Sequence, residues 1–142
     1  MNKLISNYLF FIVLIFLSLS SFAQHALTVE ISGLRNNKGQ LHYELFDDQK
    51  TSLKTGSIEI ANQKCMLVFE NMKAGKYAFN FIHDENKNKK LDTILFFIPR
   101  EGFGFSNNPV LRFGPPDFKE LLFEVKENTK INCKAIYLNY KQ

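Results

Sequence analysis

Residues 83–92 carry oxygen-bearing side chains at regular intervals. Counted from Asp84, the residues Asp84, Asn86, Asn88 and Asp92 occupy positions 1, 3, 5 and 9. Carboxylate, amide and backbone carbonyl oxygens are the ligands that Ca²⁺ takes in proteins, and alternate residues of a curled loop converge on one point. The spacing therefore predicts either a weak calcium site or a rigid loop whose side chains accept hydrogen bonds from their own backbone.

The loop meets only part of the pattern of an EF-hand calcium loop. Lys89 stands at position 6, where glycine would make the sharp turn, and Leu95 at position 12, where a bidentate glutamate belongs. Three acids are balanced by three lysines, Asp84, Glu85 and Asp92 against Lys87, Lys89 and Lys90. A neutral loop attracts a divalent cation poorly, so a loop of Asx turns is the favoured alternative.

A second segment, residues 99–108, combines glycines, aromatic residues and amides. Two phenylalanines flanked by glycines could form a platform for a ligand, or they could seal one end of the fold. The residues assigned to this candidate docking surface are Glu101, Phe103, Phe105, Ser106, Asn107 and Asn108.

The chain also contains the residue types of a hydrolase triad. Ser106, His83 and either Asp84 or Asp92 could supply hydroxyl, imidazole and carboxylate, but a triad is defined by geometry. Ser106 does not stand in the Gly-x-Ser-x-Gly context of a nucleophile elbow. The hydrolase is therefore the weakest of the functional hypotheses. No role is assigned to His42, which is isolated in the sequence.

The elements that must position these residues are β-strands. Short runs of alternating apolar and polar residues, separated by turn residues, are typical of a β-sandwich. The predicted strands are residues 27–33, 39–46, 57–60, 65–69, 77–82, 121–125 and 131–140. We therefore expect a single all-β domain, an antiparallel sandwich of about seven strands. The side chains expected to point inward are Leu41, Leu45, Leu67, Phe69, Tyr77, Phe79 and Phe81.

Residues 83–120 interrupt this pattern. A connection of such length without regular structure is usually functional or disordered. Its many phenylalanine, isoleucine and leucine residues oppose disorder, so we expect an ordered excursion that packs over one end of the sandwich. Pro115 could begin a short helical turn within it.

Residues 1–23 read as a signal peptide. Lys3 gives a positive start, residues 8–17 are an apolar run too short to span a bilayer comfortably, and Ala23 provides a small residue before a cleavage point at Gln24. We expect the mature chain, residues 24–142, to be periplasmic or secreted, with no stable membrane insertion after cleavage. Its basic residues are scattered among acids, which argues against a nucleic-acid partner.

Two cysteines, Cys65 and Cys133, remain in the mature chain. An exported protein can form a disulfide, which would close a long loop. The alternative is a pair of buried free thiols. Their spacing matches neither a metal motif nor a redox motif.

Four segments together resemble a family of small exported bacterial proteins described as a domain of unknown function, family 2141. They are residues 69–78, 83–92, 99–108 and 114–118, and the resemblance covers about residues 26–140. It implies an immunoglobulin-like or transthyretin-like sandwich and no assigned activity. The chain departs from the family pattern at Lys87 and Lys89, where glycines are expected. The first segment also resembles transthyretin-like sandwiches, which include a purine-degradation hydrolase, but this chain lacks that enzyme's C-terminal sequence.

These observations predict an exported, non-enzymatic module without a cofactor, whose 83–118 loop is a binding or docking surface. The partner would be an envelope protein, a peptide or a glycan. One alternative is a calcium-stabilised module that binds carbohydrate or peptide. The other is the hydrolase.

Overall fold

The structure, a computed structural model, describes residues 24–94, 98–112 and 114–138. The predicted signal peptide lies outside these residues. Ten strands are described: β1 His25–Ser32, β2 Gln40–Asp47, β3 Ser52–Ile58, β4 Cys65–Met72, β5 Gly75–Asp84, β6 Thr93–Ile94, β7 Ile98–Pro99, β8 Gly102–Phe105, β9 Phe123–Val125 and β10 Thr129–Lys134. The one helix of the described residues, α1, is Phe118–Leu121. None of these elements is a helix long and apolar enough to cross a membrane.

Two sheets enclose one core, so the predicted all-β sandwich is confirmed. The first sheet has the order β10-β1-β4, and the second has the order β3-β2-β5-β8, with β9 also paired to β5. Every residue predicted to point inward is buried in the core between the sheets. The alternation of apolar and polar residues allowed this prediction, because successive side chains of a strand point to opposite faces.

Strand bounds, strand pairing and strand count differ from the sequence prediction. β3 is Ser52–Ile58 where residues 57–60 were predicted, and β10 ends at Lys134 where the predicted strand ran to residue 140. The pairing of β1 with β10 is parallel, whereas the prediction was an antiparallel sandwich. The strand count rises from about seven to ten because residues 83–120 are not a plain loop: β6, β7 and β8 lie within them. A strand of two to four residues carries too little periodicity to be read from sequence.

The excursion is attached to the sandwich along β5. β2 pairs with one edge of β5, while β8 and β9 share the other edge. The two glycines of β8 are required by close contacts, since a Cβ on Gly104 would lie 2.4 Å from the Phe81 ring and one on Gly102 2.5 Å from the Tyr137 ring.

Tyr77 ties β5 to the turn that precedes it. Its hydroxyl donates to the carbonyl oxygen of Lys73 at 2.8 Å. This bond anchors the turn that leads from β4 into β5.

Candidate functional site

The centre of the candidate site is the carboxylate of Asp84 at the end of β5. Its side chain is fully buried. Oδ1 accepts the backbone N–H of Asn88 at 3.1 Å, and Oδ2 accepts the backbone N–H of Lys89 at 2.6 Å. His42 Nε2 lies 2.9 Å from the same Oδ2. Asp84 therefore fixes the loop that follows it to the outer face of the five-stranded sheet.

These contacts keep Asp84 ionised. Burial by itself raises the pKa of a carboxyl group, but the hydrogen bonds from Lys89, His42 and Asn88 outweigh it, and the pKa of Asp84 is lowered. An ionised carboxylate can only accept hydrogen bonds, so His42 donates through Nε2.

The side-chain amides of the loop donate hydrogen bonds to the carboxylate of Asp92. Asn86 Nδ2 donates to one carboxylate oxygen of Asp92 at 2.7 Å, and Asn88 Nδ2 donates to the other at 2.8 Å. Their own carbonyl oxygens accept backbone N–H groups, Asn86 Oδ1 from Asn88 at 3.0 Å and Asn88 Oδ1 from Lys90 at 2.8 Å. The loop is thus a series of Asx turns.

This hydrogen bonding does not fit a bound calcium ion. A cation needs free oxygens directed to one point, but the amides present nitrogen to Asp92, and both Asp84 oxygens already accept N–H groups. Among the residues that the structure describes, no cluster of three or more His, Cys, Asp or Glu side chains could hold a metal. The contacts favour the Asx-turn alternative of the sequence analysis.

The two departures from the family pattern occupy strained positions. Lys87 and Lys89 both have φ of +61°, in the left-handed region that glycine adopts most readily. The loop therefore keeps the conformation that glycines would favour, with lysine side chains added. It follows that the substitutions alter the surface of the loop more than its shape.

Glu101, assigned from sequence to the docking surface, is instead buried beneath the loop. Its carboxylate accepts the backbone N–H of Glu85 at 2.9 Å and that of Asp92 at 3.1 Å. Glu85 in turn forms an ion pair with Arg35, whose guanidinium lies 4.8 Å from the centroid of the Tyr137 ring. Glu101 holds both ends of the 85–92 loop in place.

Most of the other predicted docking residues also have structural roles. Phe103 is buried and Phe105 half-buried, with ring centroids 5.9 Å apart. Asn107 donates to the carbonyl oxygens of Glu120 and Leu122, and Asn108 to that of Asn132. The sequence left two roles open for these rings, a platform for a ligand and a seal at one end of the fold. Their burial matches the seal.

The triad considered around Ser106 is not assembled. Ser106 is fully buried, accepts the backbone N–H of Phe79 at 3.0 Å and donates to the carbonyl oxygen of Leu121 at 2.6 Å. It fills the gap on β5 between β8 and β9. His83, also buried, binds Tyr137 Oη through Nδ1 and the Lys38 carbonyl oxygen through Nε2. Neither side chain is available for chemistry.

The structure assembles a different set of the same residue types. Ser57 on β3 lies directly across from His42 on β2, and its Oγ is 2.5 Å from His42 Nδ1. With Asp84 on Nε2, the three side chains form a continuous chain of hydrogen bonds. Sequence reasoning missed this set because it depends on strand register. The one signal for this set in the sequence was the period-two alternation of β2, which places His42 on the outer face of the strand.

His42 and Ser57 line a groove on the outer face of the five-stranded sheet, which we call the His42 groove. It has a volume of about 410 Å³. The residues that line it are His42, Tyr43, Glu44, Thr55, Gly56, Ser57, Asn80, Ile82 and Lys89. Lys89 comes from the 83–118 segment, so that segment contributes a residue to the groove lining.

Burial separates the fixed part of the site from its accessible part. Asp84 is fully buried, the His42 side chain is 17% exposed, and Ser57 is exposed. The chain of hydrogen bonds thus leads from the protein interior to solvent. The hydroxyl is the group that a ligand in the groove would meet.

Comparison with known proteins agrees with the resemblance noted in the sequence. No curated protein and no solved structure matches this chain. A protein-family model described as "Uncharacterized protein conserved in bacteria (DUF2141)" matches residues 29–132, from the middle of β1 to β10. The match spans both sheets, the 84–92 loop and all the residues of the His42 groove, and the chain therefore belongs to the DUF2141 family.

Proposed function

We propose that this protein is an exported binding module whose ligand is a neutral glycan held in the His42 groove. The supporting observation is that the groove lining balances positive against negative charge and hydrogen-bond donors against acceptors. Glu44 and Lys89 carry opposite charges, and Thr55, Ser57 and Asn80 both donate and accept hydrogen bonds. A sugar hydroxyl also donates and accepts, so its ring of hydroxyl groups matches such a lining.

The size and position of the groove support the same proposal. Its volume of about 410 Å³ lies within the range of small-ligand sites and suits a short glycan. The Asx-turn loop holds Lys89 beside the sheet through the hydrogen bond between its backbone and Asp84. The groove lies on paired strands and on a loop held by hydrogen bonds. It therefore loses little conformational entropy when a ligand binds, which favours affinity.

A titration followed by NMR tests the ligand class. The mature chain, residues 24–142, would be titrated with a panel of neutral mono- and disaccharides and, separately, with short uncharged peptides. We expect saccharides alone to shift the signals of groove residues, and Asn80→Ala to weaken binding at least tenfold. Asn132→Ala is the matched control, since Asn132 is exposed on the other sheet. Groove shifts produced by peptides but not by saccharides would overturn the glycan proposal.

Export is proposed from the sequence of residues 1–23. The charged start, the apolar run and the small residues before Gln24 are the basis for it. Mass spectrometry of the protein from fractionated bacteria tests this step. We expect a chain that begins at Gln24 in the periplasm or medium, and an intact Met1 in the cytoplasm would overturn it.

A further inference from the structure

We propose that Ser57 is a nucleophile activated by His42, and that the groove transfers the acyl group of an ester to this serine. The inference deepens the proposed function and rests on it for the alcohol part of the ester, a hydroxyl-bearing glycan. It begins from the hydrogen bonds that join Ser57, His42 and Asp84.

The contacts prepare His42 to act as a general base. The carboxylate of Asp84 accepts a hydrogen bond from Nε2–H of His42, which leaves the lone pair of Nδ1 directed at Ser57 Oγ, 2.5 Å away. Serine proteases use the two ring nitrogens the other way round, with the carboxylate on Nδ1 and the hydroxyl on Nε2. Either arrangement joins a carboxylate, an imidazole and a hydroxyl in one line of hydrogen bonds.

Asp84 is a positioning residue in this scheme. It does not reach the groove surface, because its side chain is fully buried. The backbone N–H groups of Asn88 and Lys89 hold its carboxylate in place, so the orientation of His42 depends on the Asx-turn loop. This gives the loop a role in the chemistry as well as in the shape of the groove.

The reaction balances with water as the co-reactant. Ser57 Oγ attacks the ester carbonyl, its proton passes to His42 Nδ1, and the bond from Oγ to the acyl carbon forms. The bond from that carbon to the alcohol oxygen breaks, and the leaving alcohol takes the proton from His42. Water then attacks the acyl-serine, with His42 accepting its proton and returning it to Ser57 as the carboxylic acid leaves.

Charge in the groove suits this reaction. While His42 carries the transferred proton, the adjacent Asp84 carboxylate balances its positive charge. Lys89 lines the same groove, and a lysine ammonium directed into it would attract the developing oxyanion. Ser57 is exposed on an edge strand, so an ester can approach it.

Covalent labelling tests the nucleophile. A fluorophosphonate probe would be added to the mature protein, and the adduct located by peptide mass spectrometry. We expect one adduct, on Ser57, and none in Ser57→Ala. His42→Gln should label at least about a hundredfold more slowly, since general base catalysis contributes that much. Ser52→Ala, which removes another exposed serine of β3, is the matched control and should label like wild type.

A spectroscopic measurement tests the positioning role of Asp84. In wild type the ¹⁵N shifts of His42 should report a proton on Nε2, and Asp84→Asn should lose this preference and slow labelling.

A burst assay tests the acyl-serine. p-Nitrophenyl acetate should give a burst of nitrophenolate with wild type and none with Ser57→Ala. An unlabelled wild type, or His42→Gln labelling at the wild-type rate, would overturn the inference. Saccharide titration of the wild type separates the two proposals, because a wild type that binds saccharide but is not labelled retains only the binding role.

Discussion

Cys65 and Cys133 lie in register with the same residue, Ile31, on opposite sides of β1. Neighbouring strands are about 4.8 Å apart, so two strands on either side of a third place their Cα atoms roughly 10 Å from each other. A disulfide requires Cα atoms closer than about 7 Å. The sheet order therefore excludes the intramolecular bridge, and both residues are buried free thiols.

The first prediction concerns these thiols. Burial raises the pKa of Cys65 to about 11 and that of Cys133 to about 12, so neither forms the reactive thiolate at neutral pH. Iodoacetamide should leave the native protein unmodified and add two groups after denaturation, as counted by intact mass. A denatured, unreduced chain that takes up none would reveal a disulfide and contradict the sheet order.

The second prediction concerns the left-handed position of Lys87. A non-glycine residue there costs roughly 1–2 kcal/mol, which the greater flexibility of unfolded glycine partly offsets. Lys87→Gly should raise the free energy of unfolding by about 0.5–1 kcal/mol in urea denaturation. Lys90→Gly is the control, because Lys90 does not have positive φ, and it should be destabilising. Equal effects of the two substitutions would count against this account of the loop.

The third prediction concerns Asp84 and pH. Because the pKa of Asp84 is lowered on folding, its contribution to stability is complete above about pH 4, the unfolded value, and is lost as pH falls through the folded value. Asp84→Asn should reduce the free energy of unfolding by about 3 kcal/mol at neutral pH, where a buried charged acceptor is lost. The difference from wild type should shrink in acid. A difference that stays constant down to pH 2 would argue that Asp84 is not ionised.

The fourth prediction concerns calcium. A ligand that binds only the folded state raises the melting temperature. Since the loop amides donate to Asp92 and the oxygens of Asp84 accept N–H groups, we expect the same melting temperature in millimolar Ca²⁺ and in EDTA. A rise with Ca²⁺ that disappears in Asp92→Ala would show that the loop rearranges around a cation.

The sequence by itself determined the class of fold and the face that each long strand presents to the core. Alternation with a period of two is a local property, so Leu41, Leu45, Phe79 and Phe81 could be assigned inward without knowing which strands pair. For the 84–92 loop the sequence left a calcium site and a series of Asx turns as alternatives and favoured the Asx turns. The hydrogen-bond donors and acceptors of this loop lie within a few residues of one another, so the bonds between Asp84 and Asn88 depend little on the rest of the fold.

The tertiary structure decided everything that depends on contacts between distant strands. Sequence reasoning considered Ser106 only within its weakest hypothesis, the hydrolase, and gave His42 no role, whereas the register of β2 against β3 and β5 joins His42 to Ser57 and Asp84. It left the pairing of the cysteines open, and the order β10-β1-β4 settled it. Register and strand order arise from packing between residues far apart in the chain, and a shift of one residue would turn His42 into the core.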